Sequence, residues 1–147
     1  SKSCVRVARL FGFDPKVAFL SHSTFGKPVS KNTQHVRDAI QLLKNEKVDF
    51  DFDGEMQPDV ALNPIYQEVY PFSKIVGKAN ILIMPALHSA AISTKLMREF
   101  GGAKLIGPLL IGLGLPIEVA PLRSSTSDIL NLASVAAYSS DIIDYSN

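Results

Sequence analysis

Apolar residues gather in continuous runs along the second half of the chain. Residues 80–85, 105–112 and 116–120 each read as a strand, and residues 88–100 read as a helix that stops at Gly101–Gly102. Continuous rather than alternating apolar strands are typical of a parallel sheet that is buried on both faces. The sequence therefore predicts an α/β fold with a parallel-rich sheet sandwiched by helices.

A sheet of this kind binds its ligands at the carboxyl ends of the strands. In this chain those ends fall in residues 85–89, 107–112 and 122–128, and we place the candidate site there. His88 follows a predicted strand end, and of the three histidines it is the one well placed for a site. It is either a site residue or a hydrogen-bonding surface residue.

The first half of the chain supplies further helices and strands. Ser30 is expected to cap the longer of its helices, and Asp53–Gly54 is expected to turn the chain after its second strand. The predicted elements are helices at 3–11 and 31–47, strands at 16–20 and 48–52, and helical turns at 59–62 and 64–69.

The last predicted helix covers residues 126–145. Ser125 stands three residues before Asp128, which is the spacing of a capping box with Asp in place of the usual Glu. Few residues of this helix are charged, so we expect much of it to be buried, and a subunit contact is one place where this could happen. Its predicted apolar face consists of Ile129, Leu132, Val135, Ala136 and Ile143.

Two polar segments of the first half allow more than one interpretation. The loop SHSTFGKP, residues 21–28, has backbone amides and hydroxyls that suit an anion, but it also fits an ordinary strand-to-helix connection. A group of acidic residues suggests either a metal or acid–base site, or a solvated strand edge and turn. These residues are Asp49, Asp51, Asp53, Glu55 and Asp59.

Composition narrows the classes of function. Fifteen basic and 14 acidic residues give no global field that would attract nucleic acid or a membrane surface. The single cysteine, Cys4, fits a reducing compartment, and we expect the cytoplasm. The longest uncharged run, residues 79–94, is shorter than the roughly 20 apolar residues that span a bilayer. A hydrophobic content of 46% suggests that a partner covers some apolar surface.

Familiar catalytic signatures such as GxSxG, HExxH, CxxC and GxGxxG do not occur in the sequence. Residue types alone therefore point to a nucleotide-sized, phosphate-bearing ligand bound at the strand ends. Four segments of the sequence are more specific than its residue types. In their order and spacing they resemble the motifs of the phosphate acetyl/butyryltransferase family: VDFDFDGEMQPD, GKANILIMP, GGAKLIGP and SDILN. Three shorter segments resemble the transferase-like domain at the carboxyl-terminal end of large bacterial malic enzymes: GEM at 54–56, LNP at 62–64 and YPFS at 70–73.

The resemblance implies a fold of two α/β lobes of the isocitrate/isopropylmalate-dehydrogenase-like kind, assembled as dimers. Residues 13–112 would form the second lobe, and residues 113–147 would return to the first. We expect the sequence to be part of a longer chain.

Family roles can be carried over to a few positions. Asp128 matches the aspartate that takes the proton of the coenzyme A thiol, but Pro121 and Leu122 stand where the family has a Ser-Arg pair that holds the acyl phosphate. A one-residue slip would bring Arg123 to the arginine position without restoring the serine. The stretch PALHSAA, residues 85–91, also lacks the Asp and both Asn of the family's PDLNAGN.

The resemblance thus predicts ligand binding without catalytic residues. For Asp128 the alternative role is a helix cap, and for the lysines it is that of surface residues. The predicted ligand-binding residues are Arg123, Ser124, Ser125, Asp128, Lys78, Lys95 and His88.

We expect a regulatory domain that senses acetyl-CoA or a related thioester and forms homo-oligomers. The alternatives are an active phosphate acetyltransferase and a scaffold that only drives oligomerisation. The parent chain would be a malic enzyme that converts malate to pyruvate and CO2. Its NAD(P) and divalent metal would bind in an amino-terminal part, while no metal or other cofactor is expected in this segment.

Overall fold

The computed structural model describes residues 1–102, 104–113 and 115–142. The chain divides into two compact units, residues 1–93 and the residues from 94 onward. The predicted lobe boundary between residues 112 and 113 stays a prediction. The helices and strands, in chain order, are α1 (Lys2–Leu10), β1 (Lys16–Leu20), a 3-10 turn (Lys31–Thr33), α2 (Gln34–Asn45), β2 (Asp51–Met56), α3 (Pro58–Leu62), α4 (Pro64–Gln67), β3 (Ile81–Ile83), α5 (Leu87–Gly101) and α6 (Thr126–Ile142).

The first unit is built on a parallel sheet of three strands in the order β2-β1-β3. The central strand, β1, is buried from Val17 to Leu20, as a strand covered on both faces must be. The predicted α/β class with a parallel sheet between helices is confirmed.

Successive side chains of β1 point to opposite faces and so contribute to two separate cores. Val17 and Phe19 pack with α1 and α2 on one face, while Ala18 and Leu20 pack with α3 on the other. The helices cover the sheet because each has an apolar side to bury. On α2 the buried residues are Val36, Ile40 and Leu43.

The prediction of the second strand at residues 48–52 is wrong about where the strand begins and where it ends. β2 begins at Asp51 and continues through Asp53–Gly54, where a turn was expected. Gly54 can continue the strand because it has no side chain: a Cβ built on it would lie 2.6 Å from the carbonyl oxygen of Phe19 on β1. Asp49 lies before β2, where its carboxylate accepts a 3.0 Å hydrogen bond from Arg9 on α1.

The predicted helix 31–47 is shorter than expected. Residues 31–33 form a 3-10 turn, α2 runs from Gln34 to Asn45, and Thr33 rather than Ser30 is the N-cap residue. The Thr33 hydroxyl instead donates to the carbonyl oxygen of Ser30 at 3.0 Å. This bond stabilises the tighter turn that precedes the helix.

The strands predicted at 105–112 and 116–120 are not formed, since the described residues of both runs are irregular. Pro108 has no N–H to donate to a neighbouring strand, and the N–H of Leu110 donates to the carboxylate of Glu118 at 3.2 Å. Apolar runs alone therefore did not distinguish strands from irregular segments here.

The last helix forms as predicted, with α6 described from Thr126 to Ile142. Leu132 and Val135 of the predicted apolar face are buried within the chain, whereas Ile129 is exposed. The predicted burial of much of this helix at a subunit contact stays a prediction. Ile143 and the predicted helix end at residue 145 lie outside the described residues. In the described ranges of the chain, no helix is long and apolar enough to cross a membrane.

The close approach of Gly54 to β1 makes a prediction about stability. We expect Gly54→Ala to lower the free energy of unfolding by about 3 kcal/mol, because the new Cβ would clash with Phe19 and the φ of +144° disfavours a side chain. Urea denaturation followed by circular dichroism measures this change.

Gly12→Ala is the matched control, because Gly12 also has a positive φ of +78° but has no atom within 4 Å of the built Cβ. We expect a cost of about 1 kcal/mol there. Equal losses in the two variants would show that the contact with Phe19 does not determine the packing of β2.

Candidate functional site

The N-terminus of α6 carries the capping box that the sequence predicts. The N–H and the hydroxyl of Ser125 both donate to the carboxylate oxygen Oδ2 of Asp128, at 2.9 and 2.8 Å, and the N–H of Asp128 donates back to the Ser125 hydroxyl at 3.2 Å. These bonds satisfy backbone N–H groups that have no partner within the helix itself. Both residues therefore have a structural role in starting α6.

The same contacts lower the pKa of Asp128. The backbone N–H of Ser125 has the largest effect, the Ser125 hydroxyl adds to it, and the positive charges of Lys104 and Arg98 contribute further. Each of these interactions favours the ionised carboxylate over the protonated acid. Asp128 is consequently a weaker proton acceptor than an ordinary aspartate.

Other polar groups lie along the sequence near this helix end. Arg123 and Ser125 are exposed, Ser124 is half-buried, and Lys104 donates a 3.1 Å hydrogen bond to the Ser127 hydroxyl. Lys104 was missed by sequence reasoning, because it stands 23 residues before Ser127 and no local pattern links the two. The exposed cation Arg123 and the α6 N-terminus are groups that suit a phosphate.

The remaining predicted site residues are surface residues in the described structure. Lys78 and His88 belong to the first unit, and Lys95 belongs to the second. All three are exposed, with His88 in the first turn of α5 rather than in a loop. Their predicted role in ligand binding stays a prediction.

The second unit contains, in one segment, Pro121 and Leu122 together with the predicted ligand-binding residues Arg123, Ser124, Ser125 and Asp128. Leu122 is fully exposed. The described residues of this unit thus bring the carboxylate of Asp128 and the apolar side chains of Pro121 and Leu122 into one segment.

The loop of residues 21–28 surrounds an anion that belongs to the protein itself. One carboxylate oxygen of Glu55, Oε1, accepts hydrogen bonds from the Ser23 hydroxyl at 3.0 Å, the Gly26 N–H at 2.9 Å and the Arg37 guanidinium at 3.1 Å. The Glu55 side chain is 1% exposed. The loop therefore has a structural task, and two of its donors are occupied by Glu55.

The interpretation of the acidic residues as a solvated edge is wrong for two of them. Asp53 and Glu55 are buried, and the Asp53 carboxylate accepts the N–H groups of Gly54 and Lys74 at 2.9 and 2.7 Å. Among the residues that the structure describes, no group of three or more His, Cys, Asp or Glu side chains is placed to hold a metal ion.

These features define the first unit as an α/β domain of the parallel-sheet type, and sequence comparison identifies its family. The family model described as phosphate acetyl/butaryl transferase matches residues 1–137. The chain belongs to this family, which confirms the resemblance found in its sequence motifs.

Similar proteins include both malic enzymes and transferases. An NADP-dependent malic enzyme from Rhizobium meliloti is 48% identical over 132 residues, and a phosphate acetyltransferase from Bacillus subtilis is 34% identical over 131 residues. The match to the first covers 90% of this chain, and the match to the second covers 88%. A phosphotransacetylase structure from Streptococcus pyogenes matches 93% of the chain with a TM-score of 0.87 and 34% identity.

The chain spans only part of each of these proteins. It covers 17% of the Rhizobium meliloti malic enzyme, 41% of the Bacillus subtilis transferase and 42% of the Streptococcus pyogenes structure. Homology to the transferase-like region of malic enzymes and to phosphotransacetylases is thus established for this segment.

The capping box predicts a pH-dependent contribution to stability. We expect Ser125→Ala to lower the free energy of unfolding by about 1 kcal/mol at pH 7, since the cap loses its hydroxyl. Because the folded pKa of Asp128 is lowered, the contribution of its carboxylate is complete above the unfolded pKa of about 4 and disappears as the pH falls through the lower folded value.

The measurement is the stability of wild type, Ser125→Ala and Asp128→Asn between pH 7 and pH 3. The difference in the free energy of unfolding between wild type and Asp128→Asn should become smaller as the pH falls toward 3. Ser124→Ala is the control, because the Ser124 hydroxyl makes no hydrogen bond to the residues described here. A difference that stays constant with pH would contradict the assigned role of the carboxylate.

The burial of the Glu55 carboxylate predicts that loss of its partner Arg37 destabilises the fold more than loss of the Ser125 cap. Arg37→Ala should lower the free energy of unfolding by about 2–3 kcal/mol, because it leaves a buried charge with fewer partners. In a double-mutant cycle, adding Glu55→Gln to Arg37→Ala should cost less than Glu55→Gln alone. Strictly additive losses, measured by urea denaturation, would show that the two side chains do not interact.

Proposed function

We propose that this chain is a regulatory domain of an NAD(P)-dependent malic enzyme and that it binds acetyl-CoA or a related thioester without transferring the acetyl group. The similarity to malic enzymes over about nine-tenths of the chain supports this context. In the whole protein, malate would be converted to pyruvate and CO2 by residues outside this segment. The nicotinamide cofactor and divalent metal would bind there as well.

The observation that carries the proposal is the state of Asp128. A general base works best when its pKa lies near the working pH, whereas the hydrogen bonds from Ser125 hold the pKa of Asp128 below its usual range. Acetyl transfer also requires stabilisation of a developing oxyanion by a fixed donor or cation. Pro121 and Leu122 provide neither at the positions of the family's Ser-Arg pair.

Binding of the coenzyme has different requirements from catalysis. A phosphate needs a cation and free N–H groups, and it does not need a base or an oxyanion clamp. Arg123 and Ser124 immediately precede the α6 N-terminus, and Lys104 donates to Ser127 in its first turn. We propose that this end of α6 receives a phosphate of the thioester, with Ser125 and Asp128 fixing the helix end.

The proposal extends to assembly and location. Phe100 and Leu130 are among the large apolar side chains that are exposed in the second unit, and covering such surfaces favours association. We propose a homo-oligomer formed through this domain, in the cytoplasm, with the malic-enzyme domain on the same chain. An effector bound here would then act through the assembly on a distant active site.

Two measurements on one sample test the proposal. We expect calorimetry to show binding of acetyl-CoA, and an assay with acetyl phosphate and coenzyme A to show no turnover above background. Arg123→Ala should weaken acetyl-CoA binding about tenfold, which corresponds to about 1.4 kcal/mol. Arg6→Ala removes an exposed arginine from α1 of the first unit and should leave binding unchanged.

The other outcomes identify the alternative functions. Turnover comparable to that of a phosphotransacetylase would contradict the proposal and establish an active transferase, a reading that the 34% identity to the Bacillus subtilis enzyme favours. Oligomer formation with neither binding nor turnover would indicate a scaffold.

A further inference from the structure

The helix α5 has apolar side chains that the chain itself leaves exposed. None of its 15 residues, all of which the structure describes, is buried. Ile92, Leu96 and Phe100 are 60%, 50% and 87% exposed. A helix of a folded domain normally buries an apolar stripe against a neighbour, so these side chains call for a partner.

The three apolar residues lie on one face of α5. They stand four residues apart in a regular helix, which places their side chains one above another. The half-buried residues of α5 lie to one side of this face: Ser89, Ala90, Ser93 and Thr94. The exposed face is therefore accessible, and we call its residues the α5 stripe: Ile92, Leu96 and Phe100.

Two opposite charges border the α5 stripe. Lys95 and Glu99 are exposed and stand four residues apart, so they lie on the same flank of the stripe. The Glu99 carboxylate is 3.9 Å from Nε of Arg98, in an ion pair whose side chains are 64% and 75% exposed. Exposed pairs of this kind contribute little to stability, so Glu99 loses little by changing its partner.

The order of these residues makes the stripe complementary to itself. A two-fold axis through Leu96, perpendicular to the helix, sets a second α5 antiparallel to the first. Ile92 of one copy then lies level with Phe100 of the other. The charged flanks of the two helices face each other, and the rise of about 1.5 Å per residue leaves Lys95 only about 3 Å along the axis from Glu99 of the second copy.

A parallel pair of α5 helices lacks this match. It would place Lys95 and Glu99 beside the other flank of the stripe, which carries the uncharged residues Ser93 and Met97. A partner surface of a single charge would match only one of the two charged residues. The charge pattern therefore favours a second copy of the same helix in the antiparallel orientation.

We propose that two copies of this chain associate through α5 as an antiparallel helix pair, with Leu96 at the two-fold axis and two Lys95–Glu99 ion pairs along one flank. Such a contact uses the same surface on both copies and closes at a dimer. Opposite charges beside an apolar seam also set the orientation of paired helices. The inference rests on the homo-oligomer proposed above and specifies its surface, but it is independent of the ligand proposed for α6.

Sedimentation velocity of the intact chain tests the contact. The wild type should sediment as a dimer at micromolar concentration, and Leu96→Asp should weaken the dimer at least about tenfold, because it places two carboxylates together at the two-fold axis. Leu42→Asp is the matched control, since Leu42 is a 67% exposed leucine of α2 outside the proposed contact. It should leave the dimer unchanged, and circular dichroism verifies that both variants fold.

Charge reversal separates a direct contact from a general loss of structure. Lys95→Glu or Glu99→Lys alone should weaken the dimer about tenfold, because each sets like charges opposite each other. The double variant Lys95→Glu/Glu99→Lys should restore it. A double variant as weak as the single ones, or a Leu96→Asp dimer as strong as the wild type, would overturn the proposal. A wild type that stays monomeric would assign the α5 stripe to a different partner and overturn it as well.

Titration with acetyl-CoA keeps this inference apart from the proposed ligand. A dimer that depends on α5 but does not bind acetyl-CoA would remove the ligand proposed above and leave the α5 contact standing. Acetyl-CoA binding by a monomeric chain would overturn the α5 contact and leave the ligand in place.

Discussion

Hydrogen bonds from the chain's own N–H groups to its carboxylates organise this domain. Glu55 and Asp53 of β2 accept N–H groups from Gly26 and Lys74, and Asp128 accepts the N–H of Ser125 at the start of α6. A buried carboxylate is stable only when such donors replace the water that it has lost. The interaction explains why acids that look chemically available in the sequence have structural tasks in the fold.

The sheet could be predicted because burial on both faces leaves a continuous apolar signal, as in the strand at Lys16–Leu20. The error at β2 has a clear physical source. Asp53 and Glu55 read as solvated, because nothing in the sequence shows that Lys74 and Arg37 supply their partners from 21 and 18 residues away. The strand predicted at 105–112 was wrong for a different reason. A strand forms only where a neighbouring strand can pair with it, and an apolar sequence does not show whether such a neighbour exists.

The candidate site was predictable only where its contacts are local. Ser125 and Asp128 stand three residues apart, so the capping box is visible in the sequence. The charges of Lys104 and Arg98 act on Asp128 from 24 and 30 residues away and carry no sequence signal. The same contacts that cap α6 weaken Asp128 as a base, because they stabilise its ionised carboxylate.

The central claim is that Asp128 is a capping carboxylate and not a general base. Carbon-13 NMR titration of its side-chain carboxyl, in wild type and in Ser125→Ala, tests this claim most directly. The account predicts a pKa below the usual aspartate range in wild type and a rise toward that range in Ser125→Ala. A wild-type pKa raised toward neutrality, or one that the removal of the Ser125 hydroxyl leaves unchanged, would contradict it.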